Sequence, residues 1–128
     1  MKRLFALAVA GFILAACSTQ PVYNVESRPV PVQAQKLSMA QIEKAIVEAG
    51  TKRAWIMTSA GPGKLTASQK MQKYGADVEI TYDQKSFSIR KLSTYGMRTD
   101  GENIHQHYNF WIRNLESDIQ AALAAASF

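Results

Sequence analysis

Ala76-Asp77-Val78-Glu79-Ile80-Thr81-Tyr82-Asp83, then Gln84-Lys85, then Ser86-Phe87-Ser88-Ile89-Arg90-Lys91-Leu92 reads as one β-hairpin. Ala76, Val78, Ile80 and Tyr82 alternate with Asp77, Glu79, Thr81 and Asp83, and a period of two with one charged face describes a strand that is wet on one side. With Gln84-Lys85 as a two-residue tip, Tyr82 faces Phe87 and Ile80 faces Ile89 on the apolar side, while Glu79 faces Arg90 on the polar side. The same register sets Lys91 opposite Val78 and turns Leu92 toward water. A bulge or a sheet edge is therefore expected between Arg90 and Leu92.

Upstream, Arg53 to Ser59 is rich in strand formers, Ala60-Gly61-Pro62-Gly63 is a turn signal, and Lys64 to Gln72 alternates again. A four-residue turn would set Ile56 opposite Ala67 and leave Trp55 and Met57 on the outer face, a small aromatic patch suited to a protein partner. A slip of one residue would bury both. Burial of Trp55 is the favoured reading, because large aromatic side chains dominate cores.

Two helices flank these strands. Ser38 with Gln41 makes a capping box, and Met39, Ile42, Ala45, Ile46 and Ala49 form one apolar stripe before Gly50. Thr94 to Glu102 reads as a polar connection, and Asn103 with Gln106 as the cap of the last helix. Ile104, Tyr108, Trp111, Ile112, Leu115, Ile119, Ala122 and Leu123 then hold one face over about five turns, with the alanine-rich end fraying near Phe128. The expected fold is α+β, a four-stranded antiparallel meander with one N-terminal and one C-terminal helix on one face. Its core comprises Ile42, Ile46, Val78, Ile80, Tyr82, Phe87, Ile89, Tyr108, Trp111, Leu115 and Ile119.

The N-terminus has a different character. Lys2 and Arg3 precede an apolar run from Leu4 to Ile13, as in secretory signals, and a run of about ten residues is too short to span a bilayer, which needs about 20. The segment Leu14-Ala15-Ala16-Cys17 resembles the lipobox of bacterial lipoproteins. That resemblance implies cleavage after residue 16, lipidation of Cys17 with acylation of its new amine, and, because Ser18 rather than Asp follows, export to the outer membrane. Cys17 is the single cysteine, so no disulfide is available. Several acyl chains on one residue anchor stably where one binds only marginally. Residues 1–16 are thus expected as signal and 17–37 as a lipidated tether, since Pro21, Pro29 and Pro31 interrupt it and its apolar residues keep no period. An edge strand through Val22, Val25, Val30 and Val32 is the other reading of that tether. Residues 38–128 form the expected domain, large enough to fold alone with a modest margin.

Composition bounds the function. The full chain of 128 residues carries 15 Lys and Arg against 10 Asp and Glu; without Lys2 and Arg3, 13 basic residues face the same 10 acidic ones, an excess of +3 spread along the chain. No cluster of the kind that binds nucleic acid is present. No metal-protease, nucleophile-elbow or nucleotide-loop motif occurs, and no cofactor is expected. His105 and His107, the only histidines, would point about 200° apart on a helix and could not share a metal ion. Asp77, Glu79 and Asp83 read as an ion-paired wet face beside Arg90, Lys70 and Lys73, and Asn109 as a half-buried amide bonding a loop carbonyl in Thr94 to Asp100.

The run Ile104-His105-x-x-Tyr108-Asn109-x-Trp111 behind a lipobox, with the Trp55 region, the Gly61-Pro62-Gly63 turn and the Tyr82-Asp83 strand end, resembles a group of small, functionally uncharacterised lipoproteins of Gram-negative bacteria. The likeness covers roughly residues 41–123 and brings no activity, cofactor or partner with it. The expectation is a lipid-anchored protein on the periplasmic face of the outer membrane. Its domain is read as a non-catalytic accessory binding an envelope protein or peptidoglycan. Trp55, Met57, Lys64, Lys70, Lys73, Arg90 and Arg98 are the candidate contacts. The rival reading is an enzyme or small-molecule carrier with a pocket between sheet and helices near Asn109.

Overall fold

A computed structural model describes residues 19–128. Leu14, Ala15, Ala16 and Cys17 lie outside the described residues. The chain forms β1 (Thr19–Pro21), β2 (Val25–Pro29), a 3-10 turn (Val32–Lys36), α1 (Met39–Lys52), β3 (Ile56–Ser59), β4 (Lys64–Lys70), β5 (Gly75–Tyr82), β6 (Ser86–Tyr95), β7 (Thr99–Asp100), β8 (Asn103–His105) and α2 (Gln106–Ala126). The class is α+β, with two antiparallel sheets in place of one meander: a five-stranded sheet in the order β2-β6-β5-β4-β3 and a small one in the order β1-β8-β7. Among the described residues no helix is long and apolar enough to cross a membrane.

The β5–β6 hairpin has the register its alternation implies, with Tyr82 opposite Phe87, Ile80 opposite Ile89 and Glu79 opposite Arg90. Val78 pairs with Lys91 and Asp77 with Ser93, so Leu92 is the extra residue of a bulge. The tip is tied by Asp83, whose Oδ1 accepts the N–H groups of Lys85 at 2.7 Å and Ser86 at 2.9 Å. These bonds, Ser86 first, hold the Asp83 carboxyl below its ordinary range; bonds from Ser68 and then Ser93 do the same for Asp77. A group depressed in the folded state contributes stability above its unfolded value and loses it as pH falls through the folded one. The melting temperature is expected to drop below about pH 4. The double variant Asp77→Asn/Asp83→Asn should show a shallower drop, and an unchanged acid slope would contradict these contacts.

The β3–β4 register differs from the four-residue turn. Ala60 N–H donates to the Lys64 carbonyl, leaving Gly61-Pro62-Gly63 as a three-residue loop. Gly61 at φ 122° and Gly63 at φ 70° occupy backbone that favours glycine. Shortening the loop slides the partner by one residue, so Ile56 faces Ser68 and is 60% exposed, while Met57 faces Ala67 on the buried side. Trp55 is buried at 4% exposure, and Met57 packs half-buried against the core. Neither forms an outer patch.

Residues 19–37, expected as a tether, are folded onto the domain. Pro21 ends β1, Pro29 ends the edge strand β2, and Pro31 caps the 3-10 turn, three places where a missing N–H is tolerated. Val25, Val30, Ala34 and Leu37 are buried. Each belongs to a different short element or link, which is why they share no period. Gln120 Nε2 donates to the Pro29 carbonyl at 2.8 Å, and Gln84 Nε2 to the Leu37 carbonyl at 2.8 Å.

The apolar face of the large sheet and the stripes of both helices form one buried cluster, including Ile42, Ile46, Val78, Ile80, Tyr82, Phe87, Ile89, Tyr108, Leu115 and Ile119. α1 has its capping box at Ser38 and Gln41 but runs past Gly50 to Lys52. Gly50 lies inside the helix because Met57 packs against it: a Cβ there would sit 2.3 Å from the Met57 sulfur. Ile104 belongs to β8, and α2 is capped by His105 rather than Asn103. Trp111 is half-buried, not core. It packs edge-on against Trp55 with ring centroids 6.1 Å apart. Trp111→Ala is therefore expected to cost about 2 kcal/mol in a urea melt, less than the 3–5 kcal/mol of a fully buried aromatic. A loss above about 4 kcal/mol would show that Trp111 belongs to the core after all.

Candidate functional site

One concavity is built by three separate segments of the chain. Tyr74 closes the β4–β5 turn, where Met71 N–H donates to the Tyr74 carbonyl at 2.9 Å. Gly96, Met97 and Arg98 follow β6, and His105 and His107 stand at the start of α2. Arg98 is locked to β8 by its carbonyl, which accepts from His105 N–H at 2.8 Å. Together these six residues line an open cleft of about 310 Å³.

His105 caps α2 by accepting the His107 N–H on Nδ1 at 3.1 Å. The two imidazoles stack at 5.1 Å between centroids with planes 24° apart. The expectation that they diverge on a helix is thus corrected: His105 ends a strand, and the strand-to-helix corner folds the rings together. Among the described residues no group of three or more His, Cys, Asp or Glu is close enough to hold a metal ion. From His107 the rings continue to Tyr74 at 6.0 Å, from Tyr74 to Trp111 at 5.5 Å, nearly parallel, and from Trp111 to buried Trp55. An aromatic series thus runs from the core to the surface. Arg98, at its outer end, forms no ion pair among the described residues. Flat apolar walls beside a free guanidinium suit a ligand with an aliphatic or sugar face next to a carboxylate or phosphate.

The basic residues expected to act together are divided between two places. Arg98 lines the cleft, and Lys73 belongs to the turn that carries Tyr74. Lys64 and Arg90 lie on the outer sheet face at 4.0 and 3.0 Å from Glu79, and Lys70 acts on Asp77. The Arg90–Glu79 pair and Lys70 beside Asp77 agree with the sequence reading, whereas Asp83 ties the hairpin tip and Lys73 forms no ion pair among the described residues. Exposed pairs of this kind contribute about 0 to 1 kcal/mol each.

Asn109 is buried at 3% exposure, and its partners lie in the N-terminal segment rather than in Thr94 to Asp100. Its Oδ1 accepts Tyr23 N–H at 2.8 Å; its Nδ2 donates to the Pro21 carbonyl at 2.9 Å and to Gln20 Oε1 at 3.3 Å. Beside it, α2 and the 20–24 segment border a second open groove of about 830 Å³, where Phe110 and Arg113 are exposed. Arg113 lies 4.7 Å above the Tyr23 ring. The Tyr23 hydroxyl donates to Glu116 at 2.7 Å, and that bond raises its pKa. The groove lies between α2 and the N-terminal segment, not between sheet and helices, and its buried amide is fully engaged. Tyr74, Met97, His105 and His107 had no joint sequence signal; the only hint was the pair of Tyr-Gly steps at 74–75 and 95–96.

No protein-family model matches the chain, and no curated protein matches its sequence.

Proposed function

We infer that the protein is an outer-membrane lipoprotein, one of the small Gram-negative lipoproteins it resembles, anchored through Cys17 on the periplasmic face. Its domain is a non-catalytic accessory that holds an envelope protein or peptidoglycan. The observation that carries the binding role is the cleft, lined by the aromatic rings of Tyr74, His105 and His107 beside Arg98, which forms no ion pair among the described residues. Peptidoglycan has both features such a cleft selects, sugar faces and free carboxylates. An envelope protein would offer an aliphatic side chain beside an acidic one.

The test is site-specific photocrosslinking in intact cells, with a benzophenone amino acid replacing His107 or, on the outer sheet face, Thr81. Adducts are expected from position 107 alone, and Arg98→Glu should reduce them about tenfold, the weight of one lost charge-assisted contact of about 1.4 kcal/mol. Equal adducts from both positions, or indifference to Arg98→Glu, would remove the cleft from the function.

A further inference from the structure

We propose that the start of α2, with Phe110 at its centre, lies directly on the lipid headgroups of the membrane that holds the anchor. The proposal rests on the lipidation of Cys17 and deepens it, because it assigns a membrane-facing surface to the folded domain.

Chain length is the first support. Thr19 pairs with His105 in the small sheet, Gln20 with Ile104 and Pro21 with Asn103, so Thr19 lies beside the first turn of α2. Asn109 fastens that beginning through Gln20, Pro21 and Tyr23. From Thr19 back to Cys17 there are two residues, a reach of at most about 7 Å. An acylated Cys17 has its chains in the bilayer, so the β1 end and the first turns of α2 cannot stand off from the surface as a domain on a long tether would.

The side chains at that end are the second support. At 100° per residue, Phe110 points away from the buried stripe of Tyr108, Ile112 and Leu115. Its neighbours on the outer face are His107, Arg113, Asn114 and Ser117, all polar and exposed. A phenyl ring 58% exposed on an otherwise wet helix face is unexplained by packing. It is explained by a bilayer interface, where aromatic rings sit at headgroup level and arginines bury their stems while their heads reach phosphate. Arg113, exposed beside Phe110 and resting over the Tyr23 ring, supplies that cation; Glu116, the nearest acid on α2, is bonded to Tyr23. The cleft then opens sideways at the membrane surface.

The test uses the full lipidated chain in vesicles of phosphatidylethanolamine and phosphatidylglycerol. Because Cys17 is consumed by lipid, an introduced cysteine is the sole free thiol. Phe110→Cys and Lys85→Cys are each labelled with a polarity-sensitive dye. Lys85 lies at the β5–β6 tip, about 30 Å of β6 from the cleft end. A blue-shifted dye at 110, quenched at least twofold by bromolipids, beside a water-exposed dye at 85 is the expected result. Water exposure at both sites on protein that still sediments with vesicles would overturn the proposal while leaving the anchor intact. So would a shift at 110 that appears only when envelope proteins are added, since a protein would then be the occupant. Protein that fails to sediment would instead overturn the lipidation on which the proposal depends.

Discussion

Gly96→Ala is expected to lower the melting temperature by about 10 to 20 °C. Two costs add at this position. Gly96 has φ 67°, in the left-handed region where a Cβ costs about 1–2 kcal/mol. That Cβ would also sit 1.8 Å from the Lys73 carbonyl oxygen and 2.9 Å from the Tyr74 Cα. Both are backbone atoms, so no side chain can rotate away and the β4–β5 turn itself must move, which adds about 1–3 kcal/mol. Gly101→Ala separates the two costs, because Gly101 has φ 61° and nothing within 4 Å of the added Cβ. Its loss should stay near 1–2 kcal/mol. Equal losses in the two variants, measured by calorimetry, would contradict the close approach of residues 73–74 to residue 96. The same displacement carries Tyr74 away from His107, so Gly96→Ala should also suppress crosslinking from the cleft.

Asn109→Ala is expected to cost about 2–4 kcal/mol, a large share of the roughly 5–15 kcal/mol that holds a domain of this size. Removing the amide leaves the part-buried Tyr23 N–H and Pro21 carbonyl without their protein partners, and unmet buried groups cost about 1–3 kcal/mol each, less where water reaches them from the groove. The damage should be local before it is global. Hydrogen exchange at the Tyr23 amide should accelerate more than at Ile80, and proteolysis should begin within residues 19–24. Asn109→Asp keeps an acceptor for Tyr23 but sets a carboxylate against the Pro21 carbonyl, so it should be at least as damaging. Unchanged protection of the Tyr23 amide in both variants would mean that the N-terminal segment is held by something other than Asn109.

How far the fold could be read from the chain depended on how long each pattern runs. In β5 and β6 the alternation persists for enough residues to determine register, tip and bulge together, and all three stand in the structure. In β3 only four residues pair, so the register depended on whether the Gly-Pro-Gly loop counts three residues or four. That difference of one decides between the outer patch and the favoured burial of Trp55, and the three-residue loop sets Trp55 in the core with Met57 against it. The N-terminal segment was harder still. Its prolines read as denial of structure, whereas they occupy the ends of two short strands and the start of a turn.

The cleft was the least legible part. The 74 turn, the 96–98 loop and the 105–107 corner meet only because the β5–β6 pair brings Gly75 opposite Tyr95. Two histidines two residues apart read as divergent on a helix, and that geometry fails when the first of them belongs to a strand. Arg98 was one of the basic residues singled out in the sequence; what sets it apart from Lys64 and Arg90 is that it forms no ion pair among the described residues, a property of tertiary contacts alone.

In the proposed arrangement a lipid on Cys17 holds this domain at the membrane, through an N-terminal segment that is folded from Thr19 onward. Intact-mass and N-terminal peptide mass spectrometry of the protein purified from membranes is the decisive measurement. The expected result is a chain beginning at Cys17 with a diacylglyceryl thioether and an amide-linked acyl group. A chain that retains residues 1–16, or one whose Cys17 is a free thiol, would contradict it.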